Sequence, residues 1–261
     1  MYKTALITGA SSGLGREFAD ILAGEGYNVI LVARSKDKLD DLAAAIEKYY
    51  GVDTYVLAAD LTRKDAAKYV YEFTKHNDIT VDVLINNAGF GDYGHFIDSD
   101  WNRQEDMINL NVTSLAHLCH LYGGDMADRG FGRIMNISSI AGFMPGPMMA
   151  NYYATKNYVL ALSEALAVEM RPLGVTVTAL CPGPTDTNFE ENANAKSSGL
   201  FEGMYVMDAR TVAEYGYAKM LAGKAVAVPG VTNKALVTTA KLAPGSFVRN
   251  MVYLIQKGRR G

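Results

Sequence analysis

The sequence predicts an α/β fold in which a doubly wound parallel sheet carries helices on both faces of a single domain. Strand-like apolar runs alternate with amphipathic stretches, and several of these runs are almost continuously apolar. Such strands are buried on both faces, which is typical of a parallel sheet covered by helices. A length of 261 residues suits one sizeable domain of this kind.

The elements follow one another in a regular order along the chain. Each predicted strand is a short apolar run, and the runs occupy residues 3–8, 28–33, 53–58, 81–86, 132–138 and 174–181. Each predicted helix has an amphipathic pattern, and the helices occupy residues 14–25, 36–50, 63–77, 103–129 and 152–171. With right-handed crossovers between the units, we expect ligands at the carboxyl ends of the strands.

Two later regions depart from this rhythm within the single domain of residues 1–261. Residues 183–215 mix polar and small side chains, and we predict a substrate lid there because long irregular segments are usually functional. Residues 226–261 form a predicted C-terminal extension. Beyond Pro244, apolar residues recur at helical spacing, namely Phe247, Val248, Met251, Val252, Leu254 and Ile255. This helix suits packing on the body of the domain, on a second subunit or on a membrane surface.

Composition restricts the partners and the compartment. A net charge of −3, with 20% charged and 49% hydrophobic residues, argues against nucleic acid as the main partner. Cys119 and Cys181 lie in apolar surroundings without metal-like spacing, so we expect buried thiols rather than a disulfide. The first strand begins near Lys3, which leaves no room for a targeting leader, and no apolar run approaches a membrane span of about 18 residues. We therefore expect a cytoplasmic protein.

Charge is unevenly distributed along the chain. Glu214 is the last acidic residue, and the basic residues beyond it are Lys219, Lys224, Lys234, Lys241, Arg249, Lys257, Arg259 and Arg260. Residues 1–214 hold 17 basic and 28 acidic side chains, a net charge of −11. The basic tail either is solvated and complements the acidic body, or it contacts an anionic lipid head group or an anionic group of the substrate. The lipid alternative predicts peripheral membrane contact.

A glycine-rich loop directly follows the first predicted strand. Its sequence is Thr8-Gly9-Ala10-Ser11-Ser12-Gly13-Leu14-Gly15. Glycines let the backbone turn tightly and approach a pyrophosphate, while the helix that follows offers free N–H groups and the positive end of its dipole. The position of the loop after strand 1 favours a dinucleotide site over a plain tight turn.

The end of the second predicted strand bears on which dinucleotide binds. The strand ends at Ala33 and is followed by Arg34, with Lys36 and Lys38 nearby, so there is no carboxylate to hold the adenosine ribose. A guanidinium suits the 2′-phosphate of NADP(H). The alternative is that these are surface basic residues at a helix start, where the helix dipole disfavours them. The sequence therefore favours NADP(H) over NAD(H).

A tyrosine and a lysine are spaced four residues apart in a predicted helix. Tyr152 and Lys156 share one helix face, so the phenol and the ammonium point into the same space. A phenol with an ordinary pKa of about 10 is a poor acid–base catalyst at pH 7. A neighbouring cation favours the phenolate, and we therefore expect Lys156 to lower the pKa of Tyr152.

Taken together, these motifs resemble the short-chain dehydrogenase/reductase family over roughly residues 3–225. The matching features, in chain order, are the loop at 8–15, Asp60, Asn86-Asn87-Ala88-Gly89, Asn111, Ser138-Ser139, Tyr152 with Lys156, and Pro182-Gly183. The resemblance implies a single-domain Rossmann fold and an enzyme that interconverts a carbonyl compound and its alcohol. A non-catalytic NADP-binding sensor or scaffold is the alternative, and intact Tyr152, Lys156 and Ser139 argue against it.

The resemblance also implies catalytic roles for matching positions. Tyr152 corresponds to the general acid in reduction, and Lys156 to the residue that lowers the tyrosine pKa and binds the nicotinamide ribose. Ser139 matches the serine that hydrogen-bonds the substrate carbonyl, with Ser138 as the alternative. Asn111 matches the asparagine of a proton relay, with Asn109 as the alternative.

Cofactor-binding roles are implied in the same way for several further positions. Those residues are Gly9, Ser11, Ser12, Gly13, Leu14 and Gly15 in the loop, Arg34, Asp60, Leu61, Asn87, Ala88, Gly89, Tyr152, Lys156, Pro182, Gly183, Thr185 and Thr187. Asp60 resembles the residue that binds the adenine amino group, and either Thr185 or Thr187 the donor to the nicotinamide carboxamide. Asp186 is interpreted as a helix cap.

The substrate is expected to be a hydrophobic carbonyl compound. Apolar residues flank the predicted site, namely Phe90, Tyr93, Phe96, Phe143, Met144, Met148, Met149, Phe189, Leu200, Phe201, Met204, Tyr205 and Met207. Methionines and aromatic residues suit a pliable pocket, although part of this set fits a plain core equally well. The tail resembles that of hydroxysteroid dehydrogenase and 3-oxoacyl reductase branches. The resemblance further implies a homodimer or homotetramer.

Overall fold

A seven-stranded parallel sheet forms the centre of the protein. The computed structural model describes residues 3–187, 189, 193 and 206–257. The strands are β1 (Thr4–Thr8), β2 (Asn28–Ala33), β3 (Thr54–Ala58), β4 (Val83–Asn86), β5 (Gly132–Ile137), β6 (Val175–Leu180) and β7 (Val226–Ala227). Their order is β3-β2-β1-β4-β5-β6-β7, with every neighbouring pair parallel. The predicted fold class is confirmed, and the strand order reverses between β1 and β4, where such sheets bind ligands.

Helices cover both faces of the sheet. They are α1 (Gly13–Gly24), α2 (Lys36–Tyr50), α3 (Ala66–His76), α4 (Trp101–Ile108), α5 (Leu115–Arg129), α6 (Ala150–Glu169), α7 (Ala209–Leu221), α8 (Val231–Leu242) and α9 (Gly245–Gln256). Helices α1, α2 and α7 bury their apolar faces in one core, and α3, α5 and α6 in the other. Short 3-10 turns lie at Phe96–Asp98, Ile140–Phe143 and Arg171–Leu173.

Three features of the fold differ from the sequence prediction. The helix predicted over 103–129 is two helices, α4 and α5, joined by a π-helical segment at Asn109–Ser114. The predicted irregular segment 183–215 ends earlier, because the Asp208 carboxylate caps α7 by accepting a hydrogen bond from the Thr211 N–H at 2.9 Å. Strand β7 was not predicted, since two residues are too short to show a period.

The C-terminal extension packs on the body of the domain. Val248 and Val252 on α9 are buried in an apolar cluster that also contains Met107, Tyr152 and Tyr153. The neighbouring face of α9 is exposed, with Phe247 at 57% and Leu254 at 71%. Among the described residues, no helix is long and apolar enough to cross a membrane.

Candidate active site

A cavity of about 890 Å³ opens at the carboxyl edge of the sheet. It extends from the glycine loop after β1, past the ends of β2 to β6, to the C-terminal helix α9. The loop contributes Gly9, Ser11, Ser12, Gly13 and Leu14 to its wall. The cavity therefore lies at the switch point where the strand order predicts a ligand.

The glycine loop has the backbone geometry that the sequence predicts. Gly9 and Gly13 have φ values of +67° and +52°, in the left-handed region that favours glycine. Gly15 does not line the cavity; a Cβ there would lie 2.2 Å from the Gly9 carbonyl oxygen, so α1 packs directly against the turn. Because α1 packs so closely on the turn, the N–H groups at its N-terminus lie where they can bind the pyrophosphate of a dinucleotide.

Asn87 fixes the glycine loop to the end of β4. Its side-chain amide donates to the carbonyl oxygens of Thr8 at 2.9 Å and Gly9 at 3.2 Å. In return, the Thr8 hydroxyl accepts hydrogen bonds from the N–H groups of Asn87 and Ala88, each at 3.0 Å. Ala88, Gly89 and Asn87 all line the cavity, so the three predicted residues lie beside the loop as expected.

The adenosine end of the cavity carries opposite charges. Arg34 is exposed at the rim, and Asp60 accepts hydrogen bonds from the N–H and hydroxyl of Thr62 at 3.1 and 2.9 Å. Burial acts to raise the pKa of Asp60, but the Thr62 hydrogen bonds and the charges of Arg34 and Arg63 outweigh it and lower that pKa. Leu61 also lines this end.

Ser35 at this end was missed by the sequence reasoning. It lines the cavity next to Arg34 and begins α2 without making a side-chain cap hydrogen bond. Lys36 and Lys38 do not line the cavity, and Lys36 instead pairs with Asp40 at 2.7 Å. A serine next to Arg34, at the N-terminus of a predicted helix, was the signal that could have identified Ser35 as a residue of this cavity.

The segment after β6 closes the other side of the cavity. Pro182, Gly183, Thr185 and Thr187 all line it. The Thr185 hydroxyl donates to the Gly183 carbonyl at 3.0 Å, and the Thr187 hydroxyl accepts from the Phe189 N–H at 3.3 Å. Both threonines therefore keep their predicted position. Asp186 is exposed, and the helix start that it was expected to cap falls at residues outside the described set.

The structure separates the two candidate serines. Ser138 is buried, and its hydroxyl donates to the Lys156 carbonyl at 2.8 Å, so it holds α6 against the end of β5. The Ser139 hydroxyl accepts from the Ala141 N–H at 3.1 Å and donates to the Pro182 carbonyl at 3.4 Å, and it lies close enough to the Tyr152 phenol to lower its pKa. Ser139 is therefore the serine that lies beside the phenol of Tyr152.

Tyr152 lies in the first turn of α6 with its side chain largely buried. Burial raises the pKa of its phenol well above the ordinary value, and the nearby Ser139 hydroxyl only partly opposes this. Lys156 is not among the groups that shift this pKa, so its lowering of the Tyr152 pKa stays a prediction. Burial lowers the pKa of Lys156 to about 8, so the lysine loses its charge before the phenol ionises. At pH 7 the phenol holds its proton.

Lys156 is held behind the tyrosine by the backbone. Its ammonium donates to the Ile137 carbonyl at 2.8 Å and lies 5.8 Å from the centroid of the Tyr152 ring. A Cβ on Gly89 would lie 3.4 Å from this nitrogen and 3.0 Å from the Asn111 side-chain oxygen. Lys156 and Asn111 therefore border the same glycine.

Asn111 lies in the π-helical segment, a local feature that is frequent at functional sites. Its side chain accepts from the Phe90 N–H at 3.2 Å and donates to the Phe90 carbonyl at 2.9 Å and the Thr155 hydroxyl at 3.1 Å. Asn111 is buried behind Gly89 rather than in the cavity wall. Its contacts and its position near Lys156 favour it over Asn109 for the predicted relay.

The buried lysine has a measurable cost in stability. With a pKa of about 8 instead of 10.5, Lys156 binds its proton less tightly in the native than in the unfolded state. The unfolding free energy of the wild type, compared with that of Lys156→Met, should therefore rise as the pH increases between these two pKa values. We expect a gain of about 2 kcal/mol between pH 7 and 9.5, measured as the difference in unfolding free energy in urea. A pH-independent difference would contradict this.

The substrate end of the cavity is mainly apolar, as predicted. Of the expected residues, Phe90, Met144 and Phe189 line the cavity, while Met149 is 2% exposed and belongs to the adjoining core. Phe96 is 54% exposed and does not line it. Four other expected residues do not line the cavity either, namely Tyr93, Phe143, Met148 and Met207. The remaining four lie outside the residues that the structure describes, namely Leu200, Phe201, Met204 and Tyr205.

The C-terminal extension supplies much of this wall, which the sequence did not predict. Its lining residues are Leu236, Thr239, Ala240, Ala243, Phe247, Val248, Met251, Val252, Ile255 and Gln256. A helix more than ninety residues beyond Tyr152 reaches the site because its apolar face packs on Tyr152 and Tyr153. The helical spacing after Pro244 was visible in the sequence, but the surface it would cover was not.

The cavity joins a dinucleotide-type loop to a buried, protonated tyrosine with a serine at its side. A site of this design belongs to a nicotinamide-dependent oxidoreductase that acts on carbonyl and hydroxyl groups. Comparison with known families gives the same class, because a family model described as short chain dehydrogenase matches residues 3–198. The chain belongs to the short-chain dehydrogenase/reductase family, as its motifs predicted.

Individual relatives are similar over most of this chain. A very-long-chain 3-oxoacyl-CoA reductase of Laccaria bicolor is 36% identical over 178 residues, covering 67% of this chain and 53% of the relative. A 7beta-hydroxysteroid dehydrogenase of Collinsella aerofaciens is 35% identical over 182 residues, covering 70% and 68%. The match thus spans about half the length of the first relative and two thirds of the second.

Among solved structures, a short-chain dehydrogenase from Sphingobium yanoikuyae in complex with NADPH is similar to this fold. It superposes with a TM-score of 0.83 at 34% identity, covering 91% of this chain and 93% of that one.

Proposed function

We propose that the chain is an NADP(H)-dependent oxidoreductase that interconverts a hydrophobic ketone or aldehyde and its alcohol. A steroid-like or acyl carbonyl compound is the favoured substrate. The observation that carries the proposal is the buried Tyr152 phenol, which adjoins Ser139 in the same cavity as the glycine loop. The activities for which the two relatives are named, on hydroxysteroids and on 3-oxoacyl-CoA, support the substrate class.

The proposed roles follow from the positions of the side chains. When bound, the nicotinamide supplies or accepts the hydride. Ser139 and Tyr152 present hydroxyl groups to the carbonyl oxygen, where negative charge grows during reduction. The Tyr152 phenol is protonated at pH 7, and in the proposed mechanism that proton passes to the oxygen. Lys156 and Asn111, which border Gly89, form the proposed relay that replaces it.

NADP(H) is proposed over NAD(H) because of the rim of the cavity. Arg34 and Ser35 line it where β2 ends, and Ala33 leaves no carboxylate at the strand tip to repel a 2′-phosphate. The solved relative in complex with NADPH supports the same assignment. The glycine loop, Asp60, Leu61, Asn87, Ala88 and Gly89, and the segment from Pro182 to Thr187 would hold the remainder of the cofactor.

Replacing Arg34 with Ala tests the choice of cofactor. We expect KM for NADPH to rise about tenfold or more, because charge-assisted hydrogen bonds contribute about 1.5–3 kcal/mol. KM for NADH should change little. Lys38→Ala is the matched control, since Lys38 is exposed nearby but does not line the cavity. Equal losses for both cofactors, or a similar effect of Lys38→Ala, would argue against a 2′-phosphate at Arg34.

Turnover itself separates the enzyme from the alternative of a non-catalytic NADP-binding sensor or scaffold. The experiment follows NADPH oxidation with steroid ketones, acyl thioesters, quinones and small aldehydes. We expect turnover with the bulky hydrophobic carbonyl compounds and little with the small aldehydes. Cofactor binding without turnover of any of these compounds would favour the sensor.

Assembly and location remain predictions. A homodimer or homotetramer and a cytoplasmic location are proposed from the family resemblance and the sequence. Peripheral membrane contact is proposed for the exposed side of α9, where Phe247, Met251 and Leu254 lie on the same helix as the basic Arg249 and are followed by Lys257.

A further inference from the structure

The last residue of α9 is fixed beside Tyr153, the neighbour of Tyr152 in the chain. Gln256 is fully buried and lies in the wall of the cavity. Its backbone carbonyl accepts a hydrogen bond from the Tyr93 hydroxyl at 2.6 Å, and its side-chain Nε2 donates to the Tyr153 hydroxyl at 2.7 Å. Tyr153 follows Tyr152 in the chain, and their ring centroids are 6.1 Å apart. Two tyrosines thus hold Gln256 at the substrate end of the site.

One polar atom of this buried amide is left without a partner. Gln256 Oε1 has no hydrogen bond to any part of the chain that the structure describes. Reversing the amide would not remove the problem, because the Tyr153 hydroxyl pairs with only one of its two polar atoms. Burying an unpaired polar atom is unfavourable, and the bond to the Tyr153 hydroxyl satisfies only the other end of the amide. The amide therefore points to a partner that enters the cavity.

The surroundings of Gln256 define what kind of partner fits. The neighbouring wall is apolar, with Leu236, Val248, Met251 and Val252 lining the same end of the cavity. A ligand there is a hydrophobic body that carries one small polar group. A hydroxyl group both donates and accepts hydrogen bonds, so it satisfies the free atom of the amide in either orientation.

We propose that Gln256 determines substrate specificity by hydrogen-bonding a hydroxyl group that a bulky hydrophobic ketone carries away from its reacting carbonyl. This inference rests on the proposed function, since it assigns the substrate class of the same site. It selects hydroxylated ring ketones over plain acyl chains. A site built to bond a hydroxyl rejects the analogue that lacks it, because its own polar group is then left unpaired.

The test compares Gln256→Met with the wild type on two steroid ketones that differ only in a hydroxyl at the end remote from the ketone. Methionine has a similar length and no amide. We expect kcat/KM for the hydroxylated ketone to fall about tenfold, mostly through KM, and that for the deoxy ketone to change less than twofold. Equal changes for both ketones would overturn the proposal, since Gln256 would then only anchor α9 or hold a water.

Tyr93→Phe is the matched control, because it removes a bond to the Gln256 backbone and leaves the amide in place. We expect it to affect the two ketones alike. Calorimetric binding of both ketones to the NADP⁺-loaded protein, wild type and Gln256→Met, separates this proposal from the proposed function. A preference for the hydroxylated ketone that Gln256→Met abolishes supports the proposal even without turnover, and the absence of that preference in the wild type overturns it.

Discussion

Replacing Tyr152 with Phe should lower kcat for carbonyl reduction by about a thousandfold or more while the affinity for NADPH stays within about twofold. The phenol is buried in the cavity beside a serine and is protonated at pH 7. A positioned general acid contributes about 10²–10⁴-fold to a rate, and removing it also removes a hydrogen bond to the growing negative charge. Phenylalanine keeps the ring that packs 5.2 Å from Phe189, so the fold should survive.

The measurement is kcat with a ketone that the wild type reduces, together with an NADPH binding titration. Tyr153→Phe is the matched control, since Tyr153 is equally buried on the same helix and its hydroxyl accepts a hydrogen bond from Gln256 Nε2. We expect this control to keep most of kcat. If Tyr152→Phe retained more than a tenth of the wild-type kcat, Tyr152 would not be the proton donor.

Replacing Gly15 with Ala should abolish measurable NADPH binding and destabilise the protein by about 3 kcal/mol or more. The new Cβ would lie 2.2 Å from the Gly9 carbonyl oxygen and 2.5 Å from the Asn87 amide nitrogen. Neither group can retreat easily, because Gly9 sits in a left-handed turn and the Asn87 amide already bonds that turn. Overpacking of this kind costs about 1–3 kcal/mol and more where backbone must move.

Gly124→Ala provides the control for the glycine substitution. Gly124 lies on the exposed side of α5, where a Cβ would meet no atom within 4 Å. Alanine there should leave NADPH binding unchanged and stabilise the protein by up to about 1 kcal/mol, because it favours the helix. Urea unfolding and an NADPH titration on both variants make the comparison. If Gly15→Ala bound NADPH normally, the close packing of α1 on the loop would not be required.

The fold was largely predictable because its signals are local. Apolar runs and helical periods identified six of the seven strands and the helices that connect them, in the correct order. The exceptions are local too: β7 has only two residues, and the π-helical segment at Asn109–Ser114 continues the apolar pattern of the helices that flank it. A π-helical turn holds one more residue than an α-helical turn, and the apolar spacing of the sequence does not reveal that extra residue.

The residues of the candidate site were predictable from the sequence. The resemblance favoured Ser139 over Ser138 and Asn111 over Asn109, but it gave no contacts for either choice. The structure favours Ser139 because Ser138 is used by the Lys156 carbonyl, and Asn111 because it reaches Phe90 and borders the glycine next to Lys156. Those preferences depend on the direction in which each side chain points, which follows from packing.

The sequence by itself determined the parallel sheet, the dinucleotide loop and the pairing of Tyr152 with Lys156 on one helix face. Each of these follows from the type and spacing of residues that are near one another in the chain. Only the tertiary structure decided how the pair is charged, since burial raises the pKa of Tyr152 and lowers that of Lys156. It also brought Gln256 to Tyr153 across 103 residues. Desolvation and long-range contacts arise from neighbours in space, which spacing along the chain does not specify.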